Sequence, residues 1–298
     1  MALTVSEIKR INKLLLAWYK ANARPLKIRE RSKPYEVLIV EVMAQQTQIA
    51  RVDELATRFL KRFPTLRALA RAETADVLDA WRGLGYNRRA LLLHRAAEAA
   101  HAAGGLPTTH EDLERLPGIG SYTARAVAAI ASGGREIPVD VNIARVVQRL
   151  VGGPRLTAKP LQAAANAFGA ELGDGEAGRW AQAAMDLASS VCRASAPDCS
   201  SCPLKSVCAS AGRVAASEKK GRSAPVRFGS TARWLRGRLL DELRDAGRGG
   251  VIIRGARGEH PATAVTATIK RLCDEGLAEK VATATYRLPR RKQERGEP

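Results

Sequence analysis

Four cysteines fall within a short stretch, as Cys192, Cys199, Cys202 and Cys208, separated by six, two and five residues. Thiolates this close form a cage for a soft metal centre. Zinc ordinarily takes two short cysteine pairs with a longer loop between them. Only one short pair occurs here, and the outer cysteines are unevenly placed, which suits a cubane [4Fe–4S] cluster better. Spacing alone leaves zinc open. The loop also carries Arg193 and Lys205, which can point at phosphate, and its role reads as structural rather than redox-catalytic. Cys273 lies far along the chain and reads as a buried apolar residue.

Two carboxylates stand in contexts that invite chemistry. Glu41 sits in Val40-Glu41-Val42-Met43-Ala44-Gln45-Gln46-Thr47. A glutamate flanked by apolar residues in a helix is either ion-paired or functional, and the adjacent Gln45 and Gln46 can hydrogen-bond base edges. Asp140, in Val139-Asp140-Val141-Asn142, opens a helix, where an N-cap is the common role. Between them, Leu116-Pro117-Gly118-Ile119-Gly120 precedes Ser121-Tyr122-Thr123-Ala124. Gly118 and Gly120 allow positive φ and a close backbone approach. The helix that follows aims free N–H groups at an anion, so the segment reads as a phosphate clamp.

The elements that must hold these groups are helical. Apolar residues recur at helical spacing over 5–20, 34–48, 50–62, 74–80, 87–102, 121–132, 140–150, 160–172 and 178–190, and a further helix ends at 116. Glycine and proline punctuate the gaps, as at Gly83, Gly85 and the Gly152-Gly153-Pro154 turn. Residues 212–229 read as a basic linker. Beyond it, helices fit 231–246 and 262–275, a strand fits 251–253, and a hairpin fits 277–288, in the order of a winged helix.

The whole chain has 298 residues, with 49 Lys plus Arg against 30 Asp plus Glu, a net charge of +19. Such a surface attracts a polyanion and releases its counterions, which favours nucleic acid as the partner. The N-terminus has helical spacing rather than a signal peptide's apolar run, and no segment is long and apolar enough for a membrane span. A cytoplasmic, nucleoid-associated protein is expected, and no oligomerisation seam is visible, so a monomer is the default.

The combination and order of these motifs resembles the MutY-type adenine DNA glycosylases of the helix-hairpin-helix superfamily, which includes endonuclease III. The resemblance runs from about 10 to 210 and is carried by PYEVLIVEVMAQQTQ, WRGLGYNRRALLLH, LPGIGSYTARAVAAI, VDVNIARV and the cysteine loop. The C-terminal part resembles the short tail of actinobacterial members rather than a nudix-like domain. The resemblance implies a mainly α, two-lobed fold: a glycosylase domain at 1–211, divided into a six-helix barrel lobe at about 30–135 and an iron–sulfur lobe from 1–29 and 136–211. The linker at 212–229, a winged-helix-like domain at 230–290 and a disordered tail at 291–298 complete the expected organisation.

Members extrude one nucleotide of double-stranded DNA into the cleft between the lobes. The resemblance makes Glu41 the general acid that protonates the leaving purine, and Asp140 the carboxylate that stabilises the oxocarbenium-like sugar, in the manner of glycoside hydrolysis. It gives Tyr122 and Asn142 the catalytic water and the sugar, Gln46 an insertion into the base stack, and Tyr86 the wedge opposite the extruded base. Arg24, Ile28, Arg29, Ala44, Gln45, Gln182 and Met185 complete the substrate and DNA-binding set, with Gly118 and Gly120. Tyr122 stands where bifunctional relatives carry a Schiff-base lysine, and no lysine occurs between Leu116 and Asn142, so base removal without strand cleavage is expected. The sequence departs from the family's pattern at four positions: Ile28 stands where the family has Trp, Val40 where it has Ser, Ala44 where it has Leu, and Val141 where it has Gly; Ile28 and Ala44 remove volume from the pocket. The expected substrate is adenine opposite 8-oxoguanine or guanine. A different modified or bulky base, admitted by Ile28 and Ala44, is an alternative, and so is a non-catalytic iron–sulfur DNA-binding protein.

Overall fold

The structure, a computed structural model, describes residues 3–214 and 226–290. Most of the expected linker and the 291–298 tail lie outside the described residues. The helices in chain order are α1 (Val5–Asn22), α2 (Pro34–Ala44), α3 (Ile49–Arg62), α4 (Leu66–Ala70), α5 (Thr74–Ala80), α6 (Arg88–Ala102), α7 (His110–Glu114), α8 (Ser121–Ala131), α9 (Val141–Val151), α10 (Ala158–Ala170), α11 (Glu176–Ser190), α12 (Ala232–Asp245) and α13 (Ala262–Asp274). Three short strands, β1 (Val251–Ile252), β2 (Glu279–Ala282) and β3 (Thr285–Arg287), form an antiparallel sheet in the order β1-β3-β2. With α12 and α13 this gives the expected winged-helix order.

One expected helix is corrected here, and one short helix is added. The helix expected over 34–48 ends at Ala44, because Gln46 has φ of +56°, a left-handed conformation through which an α-helix cannot continue. α4 escaped notice because five residues are too few to show a period; Thr65 caps it by accepting from the Ala68 N–H at 3.1 Å.

The described chain forms two compact units. One holds 3–42, 106–115 and 119–214; the other holds 43–105, 116–118 and 226–290. In the first, α1 starts at a capping box: Thr4 Oγ1 accepts from the Glu7 N–H, and Glu7 accepts from the Thr4 N–H at 2.8 Å. The helix then buries Ile8, Ile11, Asn12, Leu15 and Tyr19 on one face. Asn12 is polar in an apolar stripe, and its bonds explain why. Its Nδ2 donates to the Phe168 carbonyl at 2.9 Å, and its Oδ1 accepts from Trp180 Nε1 at 2.8 Å. One buried amide therefore joins α1, α10 and α11, whose Phe168 and Trp180 rings stack at 5.2 Å.

Close helix packing in this unit depends on glycine. A Cβ at Gly169 would lie 1.9 Å from the Arg135 carbonyl oxygen. Backbone cannot withdraw as a side-chain tip can. Gly169→Ala is expected to destabilise the fold by about 3 kcal/mol, read as a lowered urea midpoint at unchanged m-value.

In the second unit, Phe59 packs edge-on against Phe63 and Trp81 at 5.0 and 6.0 Å. The C-terminal elements belong to this same unit. Arg244 of α12, nearly buried, donates to the Leu78 carbonyl at 2.9 Å and to Asn87 Oδ1 at 2.7 Å, and Arg82 pairs with Asp245 at 2.8 Å. Cys273, expected to be buried, is partly exposed on α13.

Candidate active site

Glu41 lies in the last turn of α2, between the buried Val40 and Val42. It keeps a little solvent-accessible surface, yet its carboxyl is enclosed by protein. Burial is the largest influence and pushes the Glu41 carboxyl up to about 7; a hydrogen bond from the Tyr122 hydroxyl opposes this, and the Asp140 charge adds to it. Burial likewise holds the Tyr122 hydroxyl well above its ordinary value, reinforced by the Glu41 and Asp140 charges. Tyr122 therefore stays a protonated donor at neutral pH.

Asp140 is the N-cap of α9. Its Oδ1 accepts from the Asn142 and Ile143 N–H groups at 2.9 and 2.7 Å, and its Oδ2 accepts from Asn142 Nδ2 at 2.8 Å. Three donors and the helix N-terminus fix the carboxylate in place. The capping and catalytic readings of Asp140 are thus compatible, since the cap fixes the carboxylate's place. Asn142 is also held from the far side. Its Oδ1 accepts from Arg145 at 3.2 Å, and Arg145 Nε donates to the Cys192 carbonyl at 3.0 Å. Glu41, Tyr122, Asp140 and Asn142 are thereby brought together.

The glycine turn behaves as expected at one position only. Gly118 has φ of +76°, and a Cβ there would lie 2.5 Å from Leu92 Cβ. Gly120, expected to share the left-handed conformation, is extended at φ of −89°, and it caps α8 without a side chain. A Cβ at Gly120 would meet nothing within 4 Å and no side chain caps this helix start, an arrangement that can receive an anion.

Arg24, Arg29 and Gln182 are tied into a network around Asp186, a residue the sequence reading did not single out. Asp186 accepts from the Arg24 N–H at 3.0 Å and from Arg29 at 2.7 Å on each carboxylate oxygen. The Arg29 guanidinium lies 5.6 Å over the Tyr19 ring, and the Tyr19 hydroxyl donates to Gln182 Oε1 at 2.9 Å. The available signal was an aspartate inside the alanine-rich α11. Ile28 is buried in the 3-10 turn Lys27–Glu30, and Met185 packs partly buried on the core. Ala44 and Gln45 are partly buried at the end of α2, and the Gln45 carbonyl accepts from Arg89.

Gln46 and Tyr86 share an unusual backbone. Among the described residues, the non-glycine positions with positive φ are Gln46 at +56°, Tyr86 at +45° and Ala284 at +55°. Strain of this kind concentrates where a side chain must be presented, and Tyr86 is 49% exposed.

The four cysteines line one small cavity with Val191, Pro197 and Val214. Arg149 donates to Cys192 Sγ at 3.2 Å and to the Arg193 carbonyl at 2.8 Å, so α9 holds this loop too. Arg193, expected to face phosphate, instead donates to the Ala196 carbonyl at 3.0 Å. Burial pushes the Cys202 and Cys208 thiols up, and the neighbouring thiols add to that. Among the described residues, no three His, Cys, Asp or Glu side chains are grouped as ligands of a metal ion.

Residues 39–169 match the family described as HhH-GPD superfamily base excision DNA repair protein. An adenine DNA glycosylase of Mycobacterium tuberculosis is 42% identical over 237 residues, covering 78% of both chains. The adenine DNA glycosylase of Mycolicibacterium smegmatis is 37% identical, covering 78% of this chain and 80% of that one, and the human enzyme is 36% identical over 70% of this chain and 41% of its own. A thermostable thymine-DNA glycosylase superposes with a TM-score of 0.64 at 22% identity, over 70% of this chain and 98% of that one, which establishes the fold. Fold and site together define a helix-hairpin-helix base-excision repair protein. Within that class the chain belongs to the adenine DNA glycosylase family, and it is a DNA N-glycosylase.

Proposed function

We propose that the protein excises adenine mispaired with 8-oxoguanine or guanine, by hydrolysis and without strand cleavage. The observation that carries this reading is the Glu41 carboxyl raised to about 7 beside Tyr122 and Asp140. A carboxylic acid in that range can both give and take a proton at neutral pH. Glu41 donates its proton to a ring nitrogen of the extruded base. The glycosidic C–N bond breaks, and its electron pair leaves with the base. The Asp140 carboxylate, positioned by its three donors, stabilises the cationic sugar. The Glu41 carboxylate then takes a proton from water as the hydroxyl adds to the anomeric carbon, which leaves an abasic site and restores the acid.

Tyr122 hydrogen-bonds Glu41 and offers no amine, and no lysine lies between Leu116 and Asn142. No Schiff base can form from this segment, so the backbone stays intact. Cys192, Cys199, Cys202 and Cys208 suit a [4Fe–4S] cluster: the donors are all sulfur, share one cavity and lie near the Arg149 cation. When bound, such a cluster would stabilise the loop that anchors Arg145 and, through it, Asn142. The protein is expected to act as a monomer on chromosomal DNA in the cytoplasm.

Single-turnover excision on duplexes tests the substrate. Adenine opposite 8-oxoguanine or guanine, uracil, mismatched thymine and several modified bases would be compared with and without alkali. Alkali-dependent cutting at adenine is expected. Cutting at another base alone would transfer the same mechanism to a different lesion, and cutting without alkali would overturn the monofunctional reading.

A further inference from the structure

The second unit contains a cavity of about 970 Å³ beside Tyr86 that the proposed chemistry does not use. Its wall combines the candidate DNA-facing segments with the C-terminal helix α12, and contains seven residues whose roles differ: Arg51, Arg88 and Arg89, Arg233, Arg236 and Arg244, and Asp241. Such an arginine density raises the question of what the charges are for.

Half of these arginines are occupied. Arg89 donates to the carbonyls of Met43, Leu84 and Gly85 at 3.2, 3.2 and 3.3 Å, which fixes the loop carrying Tyr86. Arg236 pairs with Glu275 at 2.7 Å, and Arg244 pairs with Asp241 at 2.8 Å. Arg51, Arg88 and Arg233 have no carboxylate within ion-pair distance among the described residues, and all three are exposed. The Arg233 guanidinium instead lies 5.1 Å over the Tyr86 ring. Tyr86 is held at φ of +45° and 49% exposed. The Arg89 guanidinium also lies over this ring, at 5.5 Å. A strained, exposed aromatic held between the loop's own arginine and one from α12, next to unpaired guanidinium groups, suits one kind of ligand. The exposed part of the ring offers apolar contact to a nucleotide, and the unpaired cations offer partners for phosphate.

We infer that this cavity binds a nucleotide unit of duplex DNA, with Arg233 supplying a DNA contact from the C-terminal elements and setting the position of Tyr86. The C-terminal elements then take part in DNA binding through the N-terminal turns of α12, beside Tyr86. This inference takes from the proposed function only that the ligand is DNA. Its charge complementarity is one-sided: the three unpaired arginines face a single carboxylate, Asp241, which Arg244 already holds.

The test uses the full chain and a labelled duplex whose target adenosine is 2′-fluorinated, which resists cleavage. Arg233 is exposed on a helix capped by Thr231, so Arg233→Ala keeps the fold, and the circular dichroism spectrum and Tm check that. Arg233→Ala is expected to weaken binding about five- to tenfold and to lower the log–log salt slope by about one. Arg233→Lys keeps a phosphate partner but loses the planar stack, and should restore the slope with part of the affinity. Tyr86→Ala with Arg233→Ala should lose less affinity than the two single losses summed. Unchanged affinity and slope in Arg233→Ala would overturn the inference, as would full additivity of the two substitutions. A wild-type protein that binds DNA in this arginine-dependent way but releases no base would leave the inference standing and defeat the substrate reading instead.

Discussion

Glu41→Gln is expected to lose excision and gain stability together. The amide cannot give up a proton to the leaving base, so single-turnover rates on adenine opposite 8-oxoguanine should fall about 10²- to 10⁴-fold. Binding to uncleavable DNA should change little, because shape and size are kept. The stability gain follows from the raised carboxyl, which lies at about 7 in the folded chain against an ordinary 4.5. Below the ordinary value both folded and unfolded chains hold the proton, and burial costs no charge. As pH rises towards 7, the unfolded chain releases the proton and the folded chain keeps it, so stability falls. Above 7 the folded chain carries a buried carboxylate at a cost of roughly 3 kcal/mol. Urea unfolding at pH 8 should therefore find Glu41→Gln more stable, by up to about 3 kcal/mol, with the difference vanishing near pH 4.5. The wild-type chemical step should decline as pH rises above 7 for the same reason. Lost turnover with no pH-dependent stability gain would mean that Glu41 is catalytic but not electrostatically raised. Retained turnover would remove it from the mechanism.

The helices were legible because α1, α3, α9 and α11 each bury one face, and that period survives in the sequence. Asp140 and the turn at Gly118 were legible because cap and turn residues act through their neighbours in the chain. The left-handed Gln46 and Tyr86 were visible only as types and positions. Their left-handed backbone leaves no local pattern, and the loops that carry them make contacts distant in sequence, such as Arg89 with the Met43 carbonyl across 46 residues. Asn12, Tyr19 and Asp186 were missed for the same reason. Each sits in an ordinary helix, and the partners that give it meaning lie more than 150 residues away. The Gly120 error shows the reverse limit. A glycine in a turn need not be there for φ; here the absent side chain leaves the front of α8 open.

Asp186→Ala is expected to produce the largest structural loss in the candidate pocket. The carboxylate is 1% exposed and takes bonds from two arginines and one backbone N–H. Arg29 keeps only 14% of its side-chain surface exposed, so it cannot turn to water when the acceptor goes. An uncompensated buried guanidinium destabilises by about 3–5 kcal/mol, more than the lost contact alone. Burial pushes the Asp186 carboxyl up, but the Arg29 and Arg24 hydrogen bonds outweigh it and hold it below the ordinary carboxylate range. Its stabilising effect is thus full above that ordinary range and is lost as pH falls through the depressed value. Urea unfolding of wild type and Asp186→Ala should accordingly differ most at neutral pH and converge on acidification. Excision should fall with it even at temperatures where the variant is folded, because Arg24 loses its anchor and Arg29 its orientation over Tyr19. Asp186→Asn keeps the volume and two acceptor lone pairs but not the charge, and should fall between the two. A neutral-pH loss under about 1 kcal/mol would mean that the arginines find another acceptor, and that the pocket is held by packing around Ile28 and Met185 rather than by this ion cluster.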